Sequence, residues 1–129
     1  MAKESSTSKR SKTARPSPVP SAMVYRRLAL ALPDAVESSH MGAPDFRIQG
    51  HIFATLAYGA KGLGTLMLTP EQQTEFLADA AEYFTPAAGA WGRKGSTLVR
   101  LDAPENVLAG ALQAAYRNVA AKSRKEARP

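Results

Sequence analysis

The sequence contains no cysteine, only one tryptophan, and no long apolar run. Without cysteine, a disulfide framework, a thiolate metal site and a cysteine nucleophile are all excluded. No apolar stretch approaches the roughly 18 to 20 residues that span a bilayer. The N-terminus is also polar where a secretory signal would carry its apolar segment. These absences predict a cytoplasmic protein with no membrane partner.

Positive charge is concentrated at the two ends of the 129-residue chain, whose net charge is +6. Residues 1–20 and residues 117–129 each carry five basic residues against one acidic residue, whereas residues 21–116 carry seven basic and nine acidic residues. The middle of the chain is therefore slightly acidic. Basic tails can hold polyanions loosely through counterion release. They can also simply keep a protein soluble, and this second interpretation is favoured.

Hydrophobic patterning divides the chain into one domain between two tails. Residues 1–20 are rich in Ser, Lys and Pro and lack a hydrophobic period, so they cannot bury enough area to offset the entropy of ordering. Residues 21–121 have the periodicity of a folded domain, and residues 122–129 are again polar and basic. We therefore predict disordered basic tails at 1–20 and 122–129.

Within the domain, periodicity predicts three helices and five strands. Helices are expected at 21–32, at 70–84 and from about 103 to 121, each bounded by proline or a capping residue. Strands are expected at 46–48, 51–56, 65–68, 88–91 and 96–101. The order α-β-β-β-α-β-β-α indicates an α+β fold with two layers, an antiparallel sheet and its helices.

Three segments carry a family resemblance. They are Leu32-Pro33 followed by Glu37, the segment MGAPDFRIQGHIFATL at 41–56, and AWGRKGSTLVRLDA at 90–103. In combination they resemble the MmcQ/YjbR family over the whole domain. The resemblance implies a two-layer fold of this element order, similar to secretion chaperones and to a double-wing DNA-binding domain.

Glycine-containing turns with basic residues are candidates for phosphate contact, because a tight turn can bring Lys or Arg close to a nucleic-acid backbone. Lys61 lies in one predicted hairpin turn and Arg93-Lys94-Gly95 in another. Arg47 and Arg100 lie on flanking strands. The alternative is that charged residues are ordinary in solvated turns. Because the domain is slightly acidic, its binding of nucleic acid is expected to be weak, non-specific and dependent on salt.

A second group of candidates is Glu37, His40, His51 and Trp91, which line a cleft if the fold brings them together. Histidine can act as a base near neutral pH with Glu37 orienting it, and the tryptophan face can stack on a planar ligand. The alternatives are that Glu37 braces a strand, His40 packs in a loop and Trp91 closes the core. Since the spacing is not that of a metal motif, we predict no metal site and no cofactor.

Our preferred hypothesis is a non-enzymatic binding domain that holds nucleic acid non-specifically through hairpin wings and basic tails. One alternative is a protein-interaction module that resembles a secretion chaperone and binds a protein partner. Another is a small-ligand or enzyme cleft around Glu37, His40 and Trp91. The sequence leaves open whether the protein is a monomer or a dimer.

Overall fold

A computed structural model describes the backbone of residues 18–127 and the side chains of residues 21–122. The predicted N-terminal tail lies outside the described residues up to residue 17, as do residues 128–129 of the predicted C-terminal tail. No helix in the described range is long and apolar enough to cross a membrane.

The helices of the described chain cover both ends of the domain and two internal segments. They are α1 (Pro18–Leu30), α2 (Pro70–Asp79), α3 (Gly89–Arg93) and α4 (Glu105–Ala127). The start of α2 is fixed by the capping box that the sequence predicts: Thr69 Oγ1 accepts from the Gln72 amide, and Gln72 Oε1 accepts from the Thr69 amide. Helix α4 continues to Ala127, past the predicted domain boundary at residue 121.

Six strands form one antiparallel sheet in the described part of the chain. They are β1 (Val36–His40), β2 (Ala43–Ile48), β3 (His51–Thr55), β4 (Leu63–Met67), β5 (Phe84–Pro86) and β6 (Ser96–Arg100). Their order across the sheet is β1-β2-β3-β4-β6-β5. The three-strand meander of the sequence prediction is present as β2, β3 and β4. The predicted α+β fold class is confirmed.

Strand β1 was missed because its side chains have no buried face. All five of its residues are exposed, so no alternation of apolar and polar residues indicates a strand. Its position at the edge of the sheet leaves it paired with β2 alone among the described strands. The segment that the sequence suggested to be a linker is therefore the outer strand of a hairpin.

The region from 80 to 93 also differs from the prediction. Helix α2 ends at Asp79, Phe84 begins strand β5, and the segment expected to be a strand at 88–91 belongs to helix α3. Phe84 follows Phe76 at helical spacing, and the two rings do meet, with centroids 5.0 Å apart. Phe84 makes this contact from a strand, however. The apolar spacing therefore predicted the contact between Phe76 and Phe84 correctly but assigned Phe84 to a helix.

The core lies between the sheet and a single layer of helices. Phe46, Ala54, Leu66 and Thr97 stand opposite one another across β2, β3, β4 and β6 and so share one face of the sheet. All four are fully buried. Helix α4 packs on β2, β3 and β4 and α1 packs on α4, while α2 reaches the same face where Gln73 hydrogen-bonds to Thr97.

Tyr25 joins the two layers at the centre of this core. Its ring packs edge-on against Phe46, and its hydroxyl donates to the Thr65 carbonyl at 2.8 Å. Complete burial raises the pKa of Tyr25, so the phenol stays neutral and remains a donor. The ring lies so close to β4 that a Cβ atom at Gly64 would stand 2.6 Å from Tyr25 Cζ.

We predict that Gly64→Ala destabilises the protein by about 1 to 3 kcal/mol, because the added methyl group overpacks the site against an immobile ring. The matched control is Gly110→Ala on the exposed side of α4, where an added Cβ meets no atom within 4 Å. That change should stabilise the protein by up to about 1 kcal/mol, since alanine favours a helix over glycine. Urea denaturation measures both; equal effects of the two substitutions would contradict the close packing at Gly64.

Candidate nucleic-acid interface

Two of the arginines predicted to contact phosphate form ion pairs with carboxylates of this chain. Arg47 binds Asp45 through two hydrogen bonds of 2.8 and 3.1 Å, and Arg100 binds Asp102 through two of 3.0 and 2.7 Å. These hydrogen bonds raise the pKa of both arginines. Because each positive charge is balanced by a carboxylate two residues away, neither strand offers free charge to a phosphate.

The other basic candidates lie at opposite ends of β4. Lys61 is in the 3-10 turn Gly59–Lys61 before β4, with its Nζ 6.0 Å from the centroid of the Tyr58 ring. Arg93 ends helix α3 and Lys94 follows it, beside Met67 at the end of β4. The predicted second hairpin is present as β5 and β6, which pair antiparallel. The prediction that Arg93-Lys94-Gly95 is a tight turn at its tip is wrong, because helix α3 forms most of the connection between the two strands.

Lys94 lines a groove of about 510 Å³ with two cations from helix α4, Arg117 and Lys122. The exposed ring of Trp91 lies along the same groove. Apolar side chains complete the wall, among them Met67, Leu68, Pro70 and Val119. We call this site the basic groove. It lies where the end of β4, the start of β6, the start of α2 and the last turns of α4 meet.

Close backbone contacts hold helix α3 in place beside the basic groove. A Cβ atom at Gly92 would stand 1.8 Å from the Ala87 carbonyl oxygen, and one at Gly95 would stand 2.1 Å from that of Leu68. Gly95 also has a φ of 112°, which disfavours any other residue. Gln73 Nε2 donates to the Gly92 and Ser96 carbonyls at 3.0 and 3.1 Å. Trp91 is consequently presented to solvent, with 70% of its surface exposed.

The cations of the basic groove differ from most arginines of the described surface in having no carboxylate partner. The arginines that form ion pairs elsewhere are Arg26 with Glu37, Arg27 with Glu105, Arg47 with Asp45, and Arg100 with Asp102. Within residues 21–122, no carboxylate forms an ion pair with Lys94, Arg117 or Lys122, and no acidic residue lines the groove. Positive charge is thus uncompensated at this site in a domain that is acidic over most of its length.

The four residues proposed for a cleft do not share a site. Glu37 pairs with Arg26 of helix α1. His40 is the last residue of β1, whereas His51 begins β3 at the opposite end of the sheet, paired with Ile48. Trp91 lies on α3, beside the far strand β6. In the described range, no group of three or more His, Asp or Glu side chains could hold a metal ion.

Two residues of the basic groove were not among the predicted site residues. Arg117 and Lys122 lie toward the C-terminal end of the predicted third helix, where the sequence alone indicates only a favourable interaction of basic side chains with the helix dipole. The sequence signal for these two residues was weak. It consists only of their positions near Val119, a buried residue of the same helix. Trp91 was predicted either to bind a ligand or to close the core, and its exposure excludes the core.

The architecture defines the class of protein as a two-layer α+β domain with an antiparallel sheet and helices on one face. The family model named YjbR matches residues 30–118, and the chain therefore belongs to the YjbR family. The crystal structure of Deinococcus radiodurans protein DR2400, with the domain DUF419, is similar at a TM-score of 0.64 and 20% identity over 76% of this chain and 77% of that one. This likeness shows the fold. A search of curated proteins finds no match.

We predict that the fluorescence of Trp91, the sole tryptophan, is quenched much more efficiently by iodide than by caesium. The ring is exposed, and the cations beside it raise the local concentration of an anion. Added inert salt should reduce the difference. Lys94→Gln should reduce it as well, while Lys61→Gln should leave it unchanged. Equal quenching by the two ions in the native protein would contradict an uncompensated charge at this site.

Proposed function

We propose that this protein is a non-enzymatic binding domain for nucleic acid, and that phosphates bind at the basic groove rather than at hairpin wings. The observation that carries the proposal is the convergence of Lys94, Arg117 and Lys122 beside an exposed tryptophan, with no carboxylate among the groove residues. Lysine and arginine side chains bind phosphate through charge-assisted hydrogen bonds.

The chemistry of the groove supports non-specific binding. Contacts from basic side chains to phosphates position a nucleic acid without reading its bases. Helix α4 packs one face against the sheet, and Arg117 and Lys122, the two cations that it contributes to the groove, lie in its second half. The sequence after Lys122 adds Arg124, Lys125 and Arg128 against one acidic residue, Glu126, so the net charge of this end of the chain is positive. Binding is expected to be weak and to depend steeply on salt.

The proposal predicts that Lys94→Gln weakens binding of a fluorescein-labelled oligonucleotide and lowers the slope of log K against log salt by about one. One phosphate contact is lost, so one fewer counterion is released on binding. The matched control is Lys61→Gln, which removes one lysine charge from the opposite end of β4. Fluorescence anisotropy of the full chain across a salt series measures both variants.

The control variant Lys61→Gln should retain the wild-type slope of log K against log salt to within error. Equal losses in the two variants would show that charge acts only in total and would overturn the assignment to the groove. Absence of binding by the wild-type chain even at low salt would overturn the proposed function itself.

The exposed edge of the sheet favours a second candidate function, a protein-interaction module whose partner is another copy of this chain. All five residues of β1 are exposed, and Met41 in the following turn is 92% exposed. A free edge strand is a template for strand addition. Antiparallel pairing of two copies about Ser38 would set Glu37 opposite Ser39, so no like charges would face each other across the new pair.

This second candidate predicts a reversible dimer in sedimentation velocity that Val36→Lys shifts to monomer, because two lysines would then crowd the pairing edge. Met23→Lys, a change at an exposed apolar residue of helix α1, is the control and should leave the dimer intact. A wild-type chain that remains monomeric at the highest concentration would exclude strand pairing of this kind.

A further inference from the structure

The basic groove contains more than a phosphate site requires. A surface that only attracts polyanions needs cations, yet this groove also presents an indole ring that is 70% exposed and an apolar wall that includes Leu68, Pro70 and Val119. An exposed indole ring beside an apolar wall offers a face on which a flat group can stack. The ring and the wall therefore indicate a ligand with a flat apolar part as well as negative charge.

The position of Trp91 suits stacking because the ring is carried by backbone that cannot easily move. Gly92 and Gly95 pack against neighbouring carbonyl groups too closely to admit a side chain, and Gln73 ties α3 to the start of β6. A rigid platform loses little conformational entropy when a ligand binds. The groove volume of about 510 Å³ lies within the range of roughly 300 to 1,000 Å³ typical of small-ligand sites.

We infer that the basic groove binds unpaired nucleobases, so that the protein prefers single-stranded nucleic acid to duplex. This inference rests on the proposed function. In a duplex, the bases are stacked on one another and present no free face, so only the phosphates can reach the groove. In a single strand, one base can stack on Trp91 while the adjoining phosphates contact Lys94 on one side and Arg117 or Lys122 on the other.

The stacking mode also sets the expected selectivity. Every base has a face that can stack on an aromatic ring, so recognition tolerates sequence. The shared chemistry, a base joined to phosphate, is found both in a strand and in a free nucleotide. A strand offers several phosphates to three cations, whereas a nucleotide offers one group of phosphates, and the charge distribution along the groove favours the strand.

The test compares three probes against the full chain: a labelled 15-nucleotide single strand of mixed sequence, its duplex, and adenosine monophosphate. We expect the single strand to bind most tightly and to quench Trp91 fluorescence. Trp91→Ala should weaken single-strand binding roughly 5- to 150-fold, the range for loss of one stacked base. Duplex binding should change less than about 2-fold, since phosphate contacts are retained. Trp91→Phe should restore most of the single-strand affinity.

Tyr58→Ala is the matched control, because Tyr58 is also an exposed aromatic residue beside a lysine but lies at the other end of β4. It should leave single-strand binding unchanged. Thermal unfolding checks that Trp91→Ala is folded, which is expected for a side chain that contributes little to the core.

The outcomes separate this inference from the proposed function. If Trp91→Ala has no effect on either probe while Lys94→Gln weakens both, the phosphate site stands and the stacking inference is overturned. Saturable quenching by the nucleotide with no binding of either polymer would overturn both, and would identify a mononucleotide site. If none of the three probes binds, both proposals are wrong.

Discussion

The contact between Tyr25 and β4 is the constraint on which the two-layer arrangement depends. The helical layer can approach the sheet because Gly64 has no side chain where the Tyr25 ring lies, and the neutral phenol is then satisfied by the Thr65 carbonyl. Helix α1 is thereby fixed over the middle of the sheet, and α4 packs beside it across three strands. The second half of α4 is consequently placed beside the end of β4 and the start of β6, where the basic groove lies.

The groove combines this long-range placement with a local constraint. Helix α4 contributes Arg117 and Lys122 to the groove. Trp91 and Lys94 are positioned by the close backbone contacts of Gly92 and Gly95. Charge balance then distinguishes the site, because four arginines elsewhere in the described domain, Arg26, Arg27, Arg47 and Arg100, are neutralised by neighbouring or facing carboxylates. A domain that is acidic over most of its length can therefore hold a concentrated positive surface at one end.

Much of the fold could be predicted from local signals. The capping box at Thr69, the alternation in β2, β3, β4 and β6, and the stripe of α4 all specified their elements, and family membership agrees with the motifs at 41–56 and 90–103. Strand β1 could not be predicted because an exposed edge strand has no buried face. Helix α3 could not be predicted because a five-residue helix has too little length to show a period.

The sequence by itself determined the fold class, the starts of α2 and α4, and the concentration of basic residues near the termini, since these depend on composition and on residues close together in the chain. Only the tertiary structure decided which cations are neutralised and which converge. Lys94 and Arg117 are far apart in the sequence, and electrostatic interaction depends on distance through space. For the same reason, the cleft hypothesis grouped residues that lie in separate parts of the folded domain. These are Glu37, His40, His51 and Trp91.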